Sequence, residues 1–333
     1  MPSVSVINQY TKQLKTNALN CFTGALVELA ARKAITLDEA VIFEQGHGFL
    51  FKSCLDEHGY PEFSFPVLNV GLSGCQAVGL SIDRFSISGE GWLETLELAI
   101  ANYQGAIVWV NTSHLEYHEH YSKMPAYLHA ILITKISKDQ QVVEVYDPLI
   151  VTTERVSCIS QVSISQLDMA LHDIVKTEVH DHMGIAYVIN CPSGKLLGYE
   201  SFGCSLLNQS IKFFDNEEHY NAVLRYKEAC SRFFVKEDQE STIAARRLFQ
   251  HINVLYVMPS LLILNKTLRQ LDIFHSMQKP YEELLHHWRA LGLLALKYEA
   301  TLSNSVQSRI YDRFTLISES ERVFWKNIRD VLA

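Results

Sequence analysis

Residues 127–149, YLHAILITKISKDQQVVEVYDPL, constrain the fold more than any other stretch of this chain. Two runs rich in β-branched and apolar residues, 128 to 136 and 142 to 146, flank a polar turn around SKDQQ and read as an antiparallel hairpin. With the turn centred on residue 138, His129 at the start of one strand lies opposite Asp147 at the end of the other. Opposed residues share a face with Cβ atoms about 5 Å apart, close enough for an imidazole–carboxylate hydrogen bond. An ordinary hairpin has no reason to carry that pair at its open end.

A histidine held by a carboxylate is half of a nucleophilic site, and the chain offers the other half. TNALNCFTGALVELAARK, residues 16–33, repeats Phe22, Ala25, Leu26, Leu29 and Ala30 at helical spacing. Asn20 is a favoured N-cap, which puts Cys21 in the first turn, where the helix dipole and the free N–H groups favour a thiolate. The competing reading is an inert cysteine packed at a helix start, the usual fate of a free thiol. A reactive cysteine needs a base, and the base an orienting group; His129 and Asp147 supply both roles.

Elsewhere the patterns alternate before 205 and become helical after it. TLDEAVIFEQGHGFLF places Thr36 as an N-cap with Glu39 three residues on, the capping-box pattern. A glycine-containing loop, EQGHG, and an apolar run from Phe49 to Phe51 follow. GWLETLELAIANYQ is a helix leading into AIVWV, a buried strand. LNVGLSGCQAVGL matches neither the P-loop nor the dinucleotide fingerprint, so turns or a sheet bulge are expected there, with Cys75 in strand-like surroundings. HYNAVLRYKEACSRFF, PSLLILNKTLRQLDIF, YEELLHHWRALGLLALKYEA and SESERVFWKNIRDVL all carry helical patterns. The fold class is therefore α+β, with a catalytic domain over residues 1–204 and a helical module over 205–333. The module's role is open between covering the active site, recognising a partner and forming a dimer interface.

The formal charge of −8 argues against nucleic-acid binding. An acidic partner would need a local basic patch. No run approaches the roughly 18 apolar residues of a membrane span, and MPSVSVINQYTKQLK lacks the basic start and apolar core of a secretory signal. The seven cysteines contain no CxxC pair, so neither a disulfide framework nor a zinc knuckle is expected, and a reducing cytoplasm fits best.

The order cysteine at a helix start, histidine about a hundred residues later and acid on the next strand is that of papain-like cysteine enzymes. NALNCFTGALVELAARKAITLDEAVIFEQGHGFLF resembles the N-terminal domain of the butirosin-biosynthesis protein H family, with a Cys-led helix, a short helix and a GxGF stretch, here Gly46, Gly48 and Phe49. The segment HAILI…VEVYDP looks like that family's His and Asp strands, and is similar to those of double-glycine leader peptidases. The resemblance covers residues 14–150 and implies a papain-like antiparallel-sheet domain. It implies an acyltransferase that takes an acyl group from an acyl or peptidyl carrier-protein thioester and passes it to an amine of a small natural product, with no cofactor and no metal. Carried over by position, Cys21 is the nucleophile, His129 the base and Asp147 the orienting acid. Asn20, Gly46, His47 and Gly48 are expected against substrate, and the loops around Gly46–Phe49 and His114–Tyr121 are expected to shield the acyl-enzyme. Two positions depart from the pattern: Asn20 stands where the family often has histidine, and Lys15 stands at the oxyanion-glutamine position of papain-like peptidases, with Gln13 and Asn17 out of register. The Cys21 N–H remains as an oxyanion donor. A cysteine peptidase or amidase with the same three residues, and a silent binding protein of the same shell, are the alternatives.

HLEYHEH groups His114, His118 and His120 with Glu116 and Glu119, but lacks the HExxH pattern and follows a strand directly. A substrate-facing or solvated loop is preferred to a metal site, and the resemblance gives Glu116 and Tyr117 as substrate contacts. VHDHMG, with two histidines around Asp181, reads as a connecting loop.

Overall fold

The hairpin lies in the middle of a seven-stranded antiparallel sheet. The structure is a computed structural model and describes residues 11–55, 59–64, 67–123, 126–151, 154–173, 183–191, 203–234 and 239–333. The VHDHMG histidines and residues 1–10 of the N-terminal stretch fall outside the described residues. The chain divides into two compact units rather than at a single cut: Met1–Ile42 with Val67–Leu197, and Phe43–Pro66 with Gly198–Ala333.

The first unit begins with β1 (Lys12–Lys15), α1 (Cys21–Arg32) and the start of α2 (Glu39–Gln45). The second unit takes the rest of α2, β2 (Lys52–Leu55) and β3 (Pro61–Ser64). The first resumes with α3 (Val67–Ala77), β4 (Ser81–Ser86), α4 (Trp92–Tyr103), β5 (Ala106–Asn111), α5 (Glu119–Lys123), β6 (Leu128–Ser137), β7 (Val142–Val151), β8 (Arg155–Ser163), α6 (Ile164–His172) and β9 (Ile185–Asn190). Sheet order is β1-β8-β7-β6-β5-β9-β4. Because strand side chains alternate, β5 serves two cores. Val108 and Val110 join Leu96, Ala99, Leu167 and Leu171 of α4 and α6 on one face. Trp109 points to the other face, where Phe22 of α1 stacks on it at 5.6 Å and meets Tyr187 edge-on at 5.7 Å.

Three local expectations need correction. The hairpin register is set by Leu132 opposite Tyr146 and Ile136 opposite Val143, with a shift between Ile133 and Lys135. His129 and Asp147 are consequently diagonal rather than directly opposed, which long side chains still bridge. LNVGLSGCQAVGL is helical, forming α3, and not turns. Its glycines hid it: a Cβ on Gly71 would lie 2.6 Å from the Phe22 ring, and one on Gly74 2.2 Å from the Ile42 carbonyl oxygen. These glycines serve close packing and not flexibility. Glu39 does not close a capping box on Thr36. Asp38 receives the Ala40 N–H at 2.8 Å, and Glu39 turns instead toward the residues before α1.

In the second unit, β2 and β3 pair antiparallel beside α7 (Cys204–Asp215), α8 (Glu217–Tyr220), α9 (Ala222–Phe233), α10 (Gln239–Gln250), α11 (Val257–Gln270), α12 (Phe274–Thr301) and α13 (Asn304–Leu332). The segment 43–66 joins this unit through buried Glu44, whose carboxylate accepts the Gly203 and Leu206 N–H groups at the start of α7. The chain from Gln239 to Gln270 holds an 18-residue window long and apolar enough to cross a membrane, yet 56% of that window is buried inside the protein, as in a core helix.

Gly74→Ala tests the packing reading of α3. Alanine normally favours a helix interior over glycine by roughly 1 kcal/mol; here overpacking against a backbone carbonyl should reverse the sign and cost about 1–3 kcal/mol. A lower urea midpoint is the expected result.

Candidate active site

Cys21 opens α1, and the residues before it are fixed by two side chains. Asn20, with φ −139°, accepts the Phe22 and Thr23 N–H groups at 2.9 and 3.2 Å through Oδ1, the N-cap arrangement anticipated from the sequence. Buried Glu39 accepts from the Leu19 N–H at 2.9 Å, the Asn20 N–H at 3.0 Å and the Thr23 hydroxyl at 2.6 Å. One carboxylate thus ties down the chain on both sides of the helix start. The thiol is half-buried, whereas Cys75, Cys158 and Cys230 are buried. Burial pushes the Cys75 and Cys158 thiols up to about 12, which keeps both protonated near neutral pH. None of the seven cysteines forms a disulfide among the described residues.

His129 is buried on β6, and its Nε2 lies 2.8 Å from Asp147 Oδ1. Asp147 is fully buried where β7 shifts register between Asp147 and Ile150. Its Oδ1 also accepts the Leu149 N–H at 3.1 Å, and its Oδ2 accepts the hydroxyls of Tyr117, at 2.8 Å, and Tyr121. Burial alone would raise the carboxyl pKa, but the His129 charge and the bonds from His129, Tyr121 and Tyr117 outweigh it, and the net shift is downward. For His129 burial pulls the pKa down, while Asp147 and then Cys21, by charge and by hydrogen bond, overcome it and drive it upward. With Nε2 engaged by Asp147, Nδ1 is the ring nitrogen left for the thiol. In the neutral ring the network assigns the proton to Nε2 and the acceptor lone pair to Nδ1.

The two tyrosines were not anticipated in this role. Tyr117 was expected against substrate; it is buried, and its hydroxyl is committed to Asp147. Tyr121, on α5, packs 5.8 Å from the His129 ring and 5.6 Å from Tyr117. Tyr127, two residues before His129, meets that ring edge-on at 6.0 Å. The only sequence signal for these groups was the aromatic content of the stretch before His129. Half-buried His120 lies close enough to feel His118 and His129, and burial first, then those two groups, holds its pKa down.

The remaining candidates scatter. Glu116 is exposed and accepts from Gln166 Nε2 at 2.9 Å. His114 pairs with Asp173 at 2.7 Å, while His118 Nδ1 accepts the His120 N–H at 3.1 Å. Among the described residues no group of three or more His, Cys, Asp or Glu side chains is placed to hold a metal. Gln13 is exposed on β1 opposite Cys158, and Lys15 and Asn17 are exposed too. Gly46, His47 and Gly48 belong to the second unit. There they end α2, with Gly48 N–H bonding to Phe43 O at 2.7 Å and His47 taking φ +58°, a left-handed ending usually given to glycine.

Residues 20–148 match the family described as butirosin biosynthesis protein H, N-terminal. The resemblance drawn from the sequence is therefore shown for that segment. It starts at the Asn20 cap and ends one residue beyond Asp147, so it spans Cys21, His129, Asp147 and both tyrosines. No curated protein matches the chain.

The coupled pair makes stability depend on pH in a defined direction. The lowered Asp147 pKa stabilises the fold above the ordinary carboxyl value and is lost as pH falls through the folded value. The raised His129 pKa stabilises it below the ordinary imidazole value and is lost as pH rises toward the folded value. The stability advantage of wild type over Asp147→Asn should therefore peak between about pH 4 and 6.5 and shrink on either side, as read from thermal midpoints across pH. Tyr117→Phe should cost about 1–3 kcal/mol at neutral pH, because it removes a hydrogen bond to a buried charge; denaturant unfolding measures it.

Proposed function

We propose that this protein is a cysteine-dependent acyltransferase of natural-product biosynthesis, built on a papain-like arrangement of Cys21, His129 and Asp147. The observation that carries this reading is the buried Asp147 holding His129 by Nε2, which leaves Nδ1 for the half-buried thiol at the start of α1. The matched family is described by its part in butirosin biosynthesis, which supports a place in secondary metabolism.

In the first half-reaction His129 Nδ1 takes the Cys21 proton, and sulfur attacks the carbonyl of a carrier-protein thioester. The tetrahedral adduct collapses by breaking the bond to the carrier sulfur, which leaves as a thiol with the proton from His129. In the second half-reaction an amine of a small acceptor attacks the acyl-Cys21 thioester and gives its proton to His129. An amide forms, and the Cys21 thiol is restored by that proton. Asp147 keeps its charge throughout, fixes the ring and stabilises the imidazolium.

Intact-mass analysis after incubation with acyl-carrier thioesters tests the reading. Wild type should gain the mass of the acyl group and lose it to an added amine, and Cys21→Ser should gain nothing. Asp147→Asn should transfer roughly 10²–10⁴-fold more slowly, because triad members do not contribute equally. Cleavage of unmodified peptides without acyl transfer would point to a peptidase using the same residues.

A further inference from the structure

Attack on a thioester puts negative charge on the carbonyl oxygen, and a preorganised donor must meet it. The position of the oxyanion glutamine in papain-like peptidases is Lys15, exposed on β1. Around Cys21, three donors have no hydrogen-bond partner among the described residues: the Cys21 N–H, the Asn20 side-chain Nδ2 and the Tyr127 hydroxyl. The other two phenols of the cluster, Tyr117 and Tyr121, are both committed to Asp147.

We propose, on the reading that Cys21 carries out acyl transfer, that the Tyr127 hydroxyl and the Cys21 N–H together form the oxyanion site. Tyr127 is a catalytic residue in that account, donating to the substrate carbonyl oxygen. Its backbone is held on both sides by Thr112, which is itself buried. The Tyr127 N–H donates to Thr112 Oγ1 at 3.1 Å, and the Thr112 N–H donates to the Tyr127 carbonyl at 3.0 Å. The ring is braced against His129 at 6.0 Å and Tyr121 at 6.2 Å. Strand alternation sends the residue two before His129 to the same side of the sheet as the base. The phenol is within electrostatic reach of both Asp147 and Cys21, and burial first, then those two groups, pushes its pKa up. It therefore keeps its proton at any working pH and can only donate to an incoming oxyanion. Asn20 Nδ2 is the weaker candidate, because Asn20 Oδ1 is bound to two backbone N–H groups of α1 and the amide is fixed as a cap.

Tyr127→Phe separates this role from a structural one, since it keeps the ring and removes only the hydroxyl. Two reactions of Cys21 would be compared in the full chain. Acylation by a short-chain acyl N-acetylcysteamine thioester builds an oxyanion; alkylation by iodoacetamide displaces iodide and builds none. The expected result is acylation slowed about 100-fold, the scale of losing one oxyanion donor, with alkylation rate and thermal midpoint unchanged. Equal acylation of Tyr127→Phe and wild type would overturn the oxyanion assignment while leaving acyl transfer intact. A parallel fall in alkylation would overturn it as well, placing Tyr127 on the nucleophile or base. A wild-type Cys21 that is alkylated and never acylated would overturn both this assignment and the acyltransferase reading.

Discussion

A fully buried carboxylate governs this structure. Taking Asp147 out of water costs several kcal/mol unless the lost hydration is replaced by paired charge and hydrogen bonds. Four donors replace it: His129 Nε2, the Leu149 N–H and the hydroxyls of Tyr117 and Tyr121. Those donors come from β6, from the register shift within β7 and from the segment that ends in α5. The demand of one ion thus bears on the orientation of the His129 ring, the break in the strand and the path of the segment before His129.

The same device recurs at other buried acids. Glu39 gathers two backbone N–H groups just ahead of Cys21 and the Thr23 hydroxyl just after it. Glu44, in the second unit, gathers the Gly203 and Leu206 N–H groups at the start of α7. Each carboxylate meets orphan donors that a turn or helix start leaves open, and each joins stretches far apart in the chain. Around Cys21 two carboxylates fix the structure from two directions, Glu39 holding the chain just before the thiol and Asp147 holding the His129 ring. In the proposed acyl transfer, such preorganisation would let the thiol and the imidazole meet without reorganising.

How much of this was legible depended on whether the signal was local. The Cys-led helix and the hairpin carried their own periodicity, so Asn20, Cys21, His129 and Asp147 could be named together from spacing. The register was misjudged because the turn centres between residues 139 and 140, with Ser137 opposite Val142, and the polar run SKDQQ does not mark its own midpoint. The helix α3 was hidden by Gly71 and Gly74, whose purpose is visible only once Phe22 and the Ile42 carbonyl are seen against them. Glu39 matched a capping box by spacing, yet a stronger set of donors lay twenty residues upstream. Tyr117 and Tyr121 act through contacts 30 and 26 residues away in sequence, which no local pattern encodes. The segment 43–66 joins the C-terminal helices through Glu44, which accepts the Gly203 and Leu206 N–H groups at the start of α7, a pairing its own sequence does not display.

Asp147 sets the charge state and tautomer of His129. Nitrogen-15 NMR of the labelled His129 ring across pH tests it without any assumption about substrate. The imidazole should stay protonated above the ordinary value of about 6.5, with the Nε2 proton last to leave, and in Asp147→Asn its titration should drop below that value as burial takes over. A His129 ring that titrates at or below the ordinary value in wild type, unmoved by Asp147→Asn, would contradict it.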